Sequence, residues 1–122
     1  MLKAVLIVGS GSFIGGAARY LISTLMKGQN STFPWGTLTV NLLGCFMIGL
    51  LYGIFAKLST TDNSWCLLLT TGLCGGFTTF STFANESLAM LQNGNIWGFI
   101  CYVGVSIIVG LGLAALGYLI VR

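Results

Sequence analysis

The stretch Gly72-Leu-Cys-Gly-Gly-Phe-Thr-Thr-Phe-Ser-Thr-Phe-Ala-Asn-Glu86 lies in the middle of a long apolar run, yet it reads poorly as a plain membrane helix. Gly75 and Gly76 each raise the cost of helix by about 1 kcal/mol relative to alanine, and Thr78 and Thr79 add β-branched crowding. Inside a bilayer an unwound turn leaves N–H and C=O groups without partners. Such backbone is tolerated only where it is buried in protein or lines a hydrated or ion-binding cavity. The same residues bring hydroxyls (Thr78, Thr79, Ser81, Thr82) and phenyl rings (Phe77, Phe80, Phe83) to membrane depth, followed by the amide of Asn85 and the carboxylate of Glu86. The stretch therefore reads as a permeation or ion-binding segment that the other spans hold in place.

Composition places those other spans. Of 122 residues, 56% are hydrophobic and only 6% are charged, against about 25% charged in a water-soluble domain. The chain cannot cover itself with polar surface, so it reads as an all-α integral membrane protein. Four blocks reach the roughly 20 apolar residues that a crossing needs: Ala4–Leu25, Trp35–Lys57, Trp65–Leu91 and Ile96–Val121. The short connections Met26–Pro34, Leu58–Ser64 and Gln92–Asn95 leave no room for a soluble domain, so residues 1–122 form one four-span domain, with the third helix expected to break near its middle. Trp35, Trp65 and Trp97 open the second, third and fourth spans, and tryptophan favours the interface, so the three mark depth. The first span resembles the apolar core of a signal peptide, but Arg19 ends the run and no A-x-A-like cleavage site follows. A retained span is expected.

The same inventory excludes several functions. Cys45, Cys66, Cys74 and Cys101 are scattered singly in apolar spans and read as small buried hydrophobes, not disulfides or metal ligands. There is no histidine, and Asp62 and Glu86 are the only carboxylates, so an enzyme is not expected. A net charge of +3 is too small and dispersed for nucleic acid. Its placement is more telling. Four spans put Lys3, Lys57 and Arg122 on one side and Lys27, with Arg19 if it reaches outward, on the other. Loop Lys/Arg asymmetry normally fixes orientation, and here the bias is weak. Insertion both ways, with antiparallel pairing, is the resulting expectation.

Individual polar residues carry two readings each. Gly9-Ser-Gly-Ser-Phe-Ile-Gly-Gly16 faintly echoes a dinucleotide fingerprint, but it lacks the soluble βαβ context and reads as a packing face containing Gly11-x-x-x-Gly15. Gly49-x-x-x-Gly53 reads the same way. Arg19 either reaches the headgroups or lines a water-filled vestibule. Asn41 either makes an interhelical hydrogen bond or donates its NH₂ to a permeating anion. Phe80 and Phe83 share one helical face and offer positive ring edges to a small anion, or else face lipid. Tyr102 and Ser106, four residues apart, either continue a polar path or satisfy backbone carbonyls. Glu86 reads most simply as a solvated helix end.

Together these features resemble the Fluc (CrcB) family of fluoride channels. The likeness rests on four spans in this length, an arginine late in the first span, Asn41 followed by Leu-Leu-Gly, and the specific string Gly75-Gly-Phe-Thr-Thr-Phe-Ser-Thr-Phe83. The resemblance implies an antiparallel, dual-topology homodimer in the cell (inner) membrane that passively exports cytoplasmic fluoride through two pores. It also implies a structural sodium ion at the dimer axis, held by main-chain carbonyls of Gly75 and Thr78 from each subunit. By the same carry-over Phe80 and Phe83 line the pore, Asn41 donates to fluoride and Arg19 lies in the vestibule. Ser81, Thr82, Tyr102 and Ser106 extend the polar track. Read from the residues alone, carbonyls at a break suit a hard cation, and amide, hydroxyl and ring-edge donors suit a small hydrated anion; fluoride itself comes from the resemblance.

Two rivals remain. A small proton-coupled four-span multidrug exporter needs a titratable group at membrane depth, and spans one, two and four contain no Asp, Glu or His. A non-transporting assembly subunit would tolerate replacement of Phe80 or Asn41 without any change in flux.

Overall fold

A computed structural model describes residues 1–26, 33–58 and 64–121. Lys27, Asp62, Arg122 and most of the two longer connections, which entered the charge reading, lie outside the described residues. The secondary structure of the described residues is all helical: α1 (Leu2–Leu25), α2 (Trp35–Leu58), α3 (Ser64–Leu67), a π-helical segment (Leu68–Cys74), α4 (Gly75–Phe77), α5 (Ser81–Gln92) and α6 (Ile96–Val121). Four stretches are long and apolar enough to cross a membrane: Leu2–Leu25, Trp35–Leu58, Ser64–Gln92 and Ile96–Val121. Each agrees with its sequence-based counterpart to within two residues.

The helices pair by parallel close approach. Gly11 of α1 lies against the Leu68 and Gly72 backbone, and Gly15, four residues on, lies against Leu73 and Phe77. Spans one and three therefore run in the same direction, as alternate crossings must. Spans two and four do likewise, with Gly49 on Ala114 and Gly53 on Tyr118 and Val121. Lipid tails supply no hydrophobic drive between helices, so backbone-to-backbone packing on small residues holds such pairs together. A Cβ on Gly15 would stand 2.8 Å from the Phe77 nitrogen and closer still to the Leu73 carbonyl, so no side chain fits there.

The third span changes geometry along its length. The Thr70 hydroxyl bonds the Cys66 carbonyl at 2.6 Å, and from Leu68 the ladder widens to the i→i+5 pattern that often marks functional positions. Gly75 and Gly76 themselves remain helical. Helical backbone stops at Thr78, which is extended with φ −87° and ψ 159°, and α5 takes over from Ser81. The difference from the glycine-based expectation has a simple cause. Glycine permits departure from a helix but does not require it, and the departure falls where a side chain from another span receives the freed backbone.

The return into α6 is fixed locally. Gly94 adopts φ 77°, the Gly94 and Asn95 amides bond the Leu91 and Met90 carbonyls, and this double closure ends α5. Asn95 Oδ1 then accepts the Gly98 amide at 3.0 Å and caps the start of α6. Both jobs are done within four residues.

Replacing Gly15 by valine should lower the unfolding free energy of the protein in detergent by about 1–3 kcal/mol, the usual cost of overpacking. Gly9→Ala is the control, because nothing lies within 4 Å of the added methyl; it should be neutral or stabilising by up to about 1 kcal/mol. Thermal unfolding of the two variants side by side checks the pair, and equal behaviour would contradict the packing account.

Candidate functional site

The extended backbone after α4 is met by Asn41 of α2. Asn41 Nδ2 donates to the Thr79 carbonyl at 3.0 Å, and the Thr79 amide donates to Asn41 Oδ1 at 2.9 Å. One amide side chain thus satisfies both polar groups of a residue that no helix can serve. Because the Thr79 N–H is diverted to Asn41, the Gly75 carbonyl loses the i+4 donor that a continuous helix would provide. Gly75 sits on an exposed face. The Thr78 hydroxyl bonds back to the Cys74 carbonyl at 3.0 Å, leaving its own carbonyl as main-chain functionality.

Thr79 also starts the next helix. Its hydroxyl accepts the Thr82 amide at 3.2 Å and donates to the Thr82 hydroxyl at 3.1 Å, the side-chain-to-backbone closure that favours a helix beginning. In the sequence Thr79 is one hydroxyl among several. Its function depends on Asn41, 38 residues away, which no local pattern reveals.

Two cavities meet at Thr79. The first, about 640 Å³, is walled by polar groups including Arg19, Ser23, Thr37, Thr82 and Glu86. Arg19 is half-buried there, with Nε donating to the Gly76 carbonyl at 3.3 Å. The second, about 410 Å³, is an open groove that includes Asn41, Gly75, Phe80, Phe83 and Ser106. Phe80 is 79% exposed on it. Ser81 is exposed beside Phe80. Among the described residues, the Ser106 hydroxyl is a buried side-chain oxygen with no hydrogen-bond partner. The Ser106 hydroxyl therefore reaches no backbone carbonyl among the described residues, and Ser106 lines the second cavity.

A row of rings joins the two cavities. Phe80 and Phe83 have centroids 5.9 Å apart, Phe83 and Tyr102 5.0 Å, and Tyr102 and Phe33 5.6 Å in an edge-on arrangement. Tyr102 is fully buried and donates its hydroxyl to Glu86 Oε1 at 3.2 Å, while the Thr37 side chain lies against the Tyr102 oxygen. Glu86 is therefore not simply a solvated helix end: it lies six residues inside α5, about 9 Å from its terminus by helix rise, and faces the first cavity. The pairing depends on the tight α5–α6 turn, so sequence spacing gave no sign of it.

Chemically the arrangement offers hydrogen-bond donors and carbonyls at membrane depth, and no group of three or more potential metal-ligating His, Cys, Asp or Glu side chains among the described residues. Four apolar spans around cavities that meet at non-helical backbone define a multi-pass membrane protein. Comparison with known proteins makes this specific. The family described as CrcB-like protein, Camphor Resistance (CrcB), matches residues 6–118. A "Fluoride-specific ion channel FluC" from Leptospira interrogans is 40% identical over 121 residues, spanning 98% of this chain and 95% of the relative. One from Phocaeicola vulgatus is 43% identical over 111 residues, 90% of this chain and 91% of the relative. One from Escherichia coli is 38% identical over 118 residues, 97% and 93% respectively. The chain belongs to the CrcB-like family, a family of channels and not of enzymes.

Asn41→Leu should be strongly destabilising, because it strands the Thr79 N–H and C=O at membrane depth at about 1–3 kcal/mol each. Thr79→Val should cost about 1 kcal/mol through the lost closure on Thr82, whereas Thr79→Ser should be nearly silent. Thermal unfolding, with amide exchange at Thr82 as the local probe, measures all three. A Thr79→Val protein with unchanged exchange at Thr82 would contradict the capping role.

Proposed function

We propose that this protein is a fluoride channel that works as an antiparallel homodimer and lets cytoplasmic fluoride leave the cell passively. The substrate follows from the relatives, all named fluoride-specific ion channels. The single structural observation behind the assembly is the face carrying the Gly75 carbonyl and the Ser106 hydroxyl. The Gly75 carbonyl has lost the Thr79 amide to Asn41, the Ser106 hydroxyl has no hydrogen-bond partner among the described residues, and both residues line a groove that opens sideways. Hydrocarbon cannot satisfy an exposed carbonyl, so another protein surface would cover the Gly75 face, and a second copy supplies one. The weak charge bias of Lys3 and Lys57 against Arg19 favours an inverted copy.

Within that dimer the third-span break serves as the centre. The main-chain carbonyls of Gly75 and Thr78 from each copy would hold a sodium ion, since oxygen dipoles suit a hard cation and Gly75 already lacks its helical donor. The ion would neutralise the converging carbonyls and tie the two copies together. Fluoride enters each pore through the vestibule walled by Arg19, whose guanidinium raises local anion concentration. It then passes Thr82 and Tyr102 to the Asn41, Phe80, Phe83 and Ser106 groove, with Ser81 alongside. Donors there replace lost water one at a time, and the ring edges of Phe80 and Phe83 contact the ion without fixed charge, so that it binds and leaves. The exporter reading is not favoured, because Glu86, the only described carboxylate, already accepts the Tyr102 hydroxyl. The subunit reading leaves the polar vestibule without purpose.

Purified protein in liposomes should release fluoride, followed with a fluoride electrode, and pass chloride far more slowly. Phe80→Ile and Asn41→Asp should each reduce the fluoride rate by about tenfold or more, equivalent to ~1.4 kcal/mol on the barrier. Chloride efflux at a similar rate would overturn the proposal. Replacing sodium with a large organic cation should lower conduction or dimer stability, while Thr78→Ser should be mild because only the main chain is used.

A further inference from the structure

Separate from the two cavities that meet at Thr79, α1 and the start of the third span leave a lateral groove of about 590 Å³. Because these two spans run in parallel, Lys3 stands at the same end of the bundle as Ser64 and Trp65, and all three line the groove. Trp65 is 66% exposed, and an indole of this kind settles at headgroup depth. The floor, deeper by one or two turns, is apolar, with Leu6, Ile7 and Leu68. Leu6 is exposed, and Ser10, also on the floor, has its hydroxyl closed onto the Leu6 carbonyl at 2.8 Å. Lys3 is the groove's single charged group, and among the described residues it makes no ion pair. The groove thus has a cation, a hydroxyl and an indole N–H at headgroup depth, above an apolar slot at acyl depth.

We propose that this groove is a binding site for one anionic phospholipid. The lipid phosphate lies on the Lys3 ammonium, with the Ser64 hydroxyl and the Trp65 indole as further donors, and an acyl chain runs along Leu6, Ile7 and Leu68. Charge complementarity selects the occupant. A zwitterionic lipid carries the same phosphate but brings its own cation to compete with Lys3, whereas an anionic lipid gains the full attraction of an interfacial lysine, worth about fivefold in affinity. The inference requires only that the chain spans a bilayer, and it stands or falls independently of which ion the protein conducts. In an inverted pair of chains the two sites would sit in opposite leaflets.

Native mass spectrometry of the full-length protein, titrated with phosphatidylglycerol or phosphatidylcholine, tests the site. One phosphatidylglycerol per chain should bind about fivefold more tightly than phosphatidylcholine. Lys3→Gln should erase the preference. Lys57→Gln should not, because Lys57 ends α2 on the same membrane side but outside the groove. Leu6→Trp should fill the slot and weaken both lipids while leaving Lys3 in place. Unfolding temperatures of the variants should match the parent, since Lys3 and Leu6 are surface residues. Equal affinity for the two lipids, or equal loss in Lys57→Gln, would reduce the effect to diffuse surface charge and overturn the proposal. So would unchanged binding in Leu6→Trp.

Discussion

A peptide group removed from its helix inside a bilayer has no water to turn to, and the organisation of this protein follows from how one such group is accommodated. Asn41 spends its carbonyl and one N–H on the two backbone groups of Thr79. Without that exchange the extended Thr78 could not persist, because each unpaired group costs roughly 1–3 kcal/mol. With it, the third span can leave helical geometry, restart on the Thr79 hydroxyl, and present carbonyls that a continuous helix would consume. The cavity walls are consequences of that local exchange.

Holding Asn41 against Thr79 demands that the spans approach closely and in register. The two parallel pairs meet that demand with backbone-to-backbone packing at Gly11 and Gly15 on one side and Gly49 and Gly53 on the other. Gly44 extends the fit to the site itself, since a Cβ there would collide with the Thr78 methyl. The same smallness that allows close contact also brings Arg19 within reach of the Gly76 carbonyl. Packing and site geometry are therefore set by one group of residues.

Much of this was legible in the sequence, for particular reasons. Span boundaries were readable because a bilayer imposes length, and because Trp35, Trp65 and Trp97 mark the interfaces. The packing glycines were readable because their spacing is local. What stayed hidden depends on contacts between distant segments. Arg19 had two equally plausible surroundings, and only the neighbouring third span places it on a cavity wall. Thr79 showed only as one hydroxyl among several, although it forms the wall between two cavities. The Glu86–Tyr102 pair required a turn closed by Gly94 at positive φ, and the widened ladder at Leu68–Cys74 has no signature in a single sequence beyond a buried threonine. Phe80 and Phe83 are near in sequence and their rings meet, but the row continues through Tyr102 of the fourth span to Phe33, just before α2.

The two readings of Asn41, structural tie and anion donor, are not alternatives. A primary amide has two N–H groups and two lone pairs, and Thr79 takes one of each. Those two bonds fix the plane of the amide and leave one N–H uncommitted to Thr79, on a residue that lines the Phe80 and Ser106 groove. A donor held this way needs no reorganisation when an anion arrives, and preorganised donors stabilise charge far better than mobile ones. Being neutral, it also imposes no deep well from which a small ion could not escape. On the proposed channel reading, the bond that lets the helix break is thus also the bond that orients the donor for the ion passing beside it.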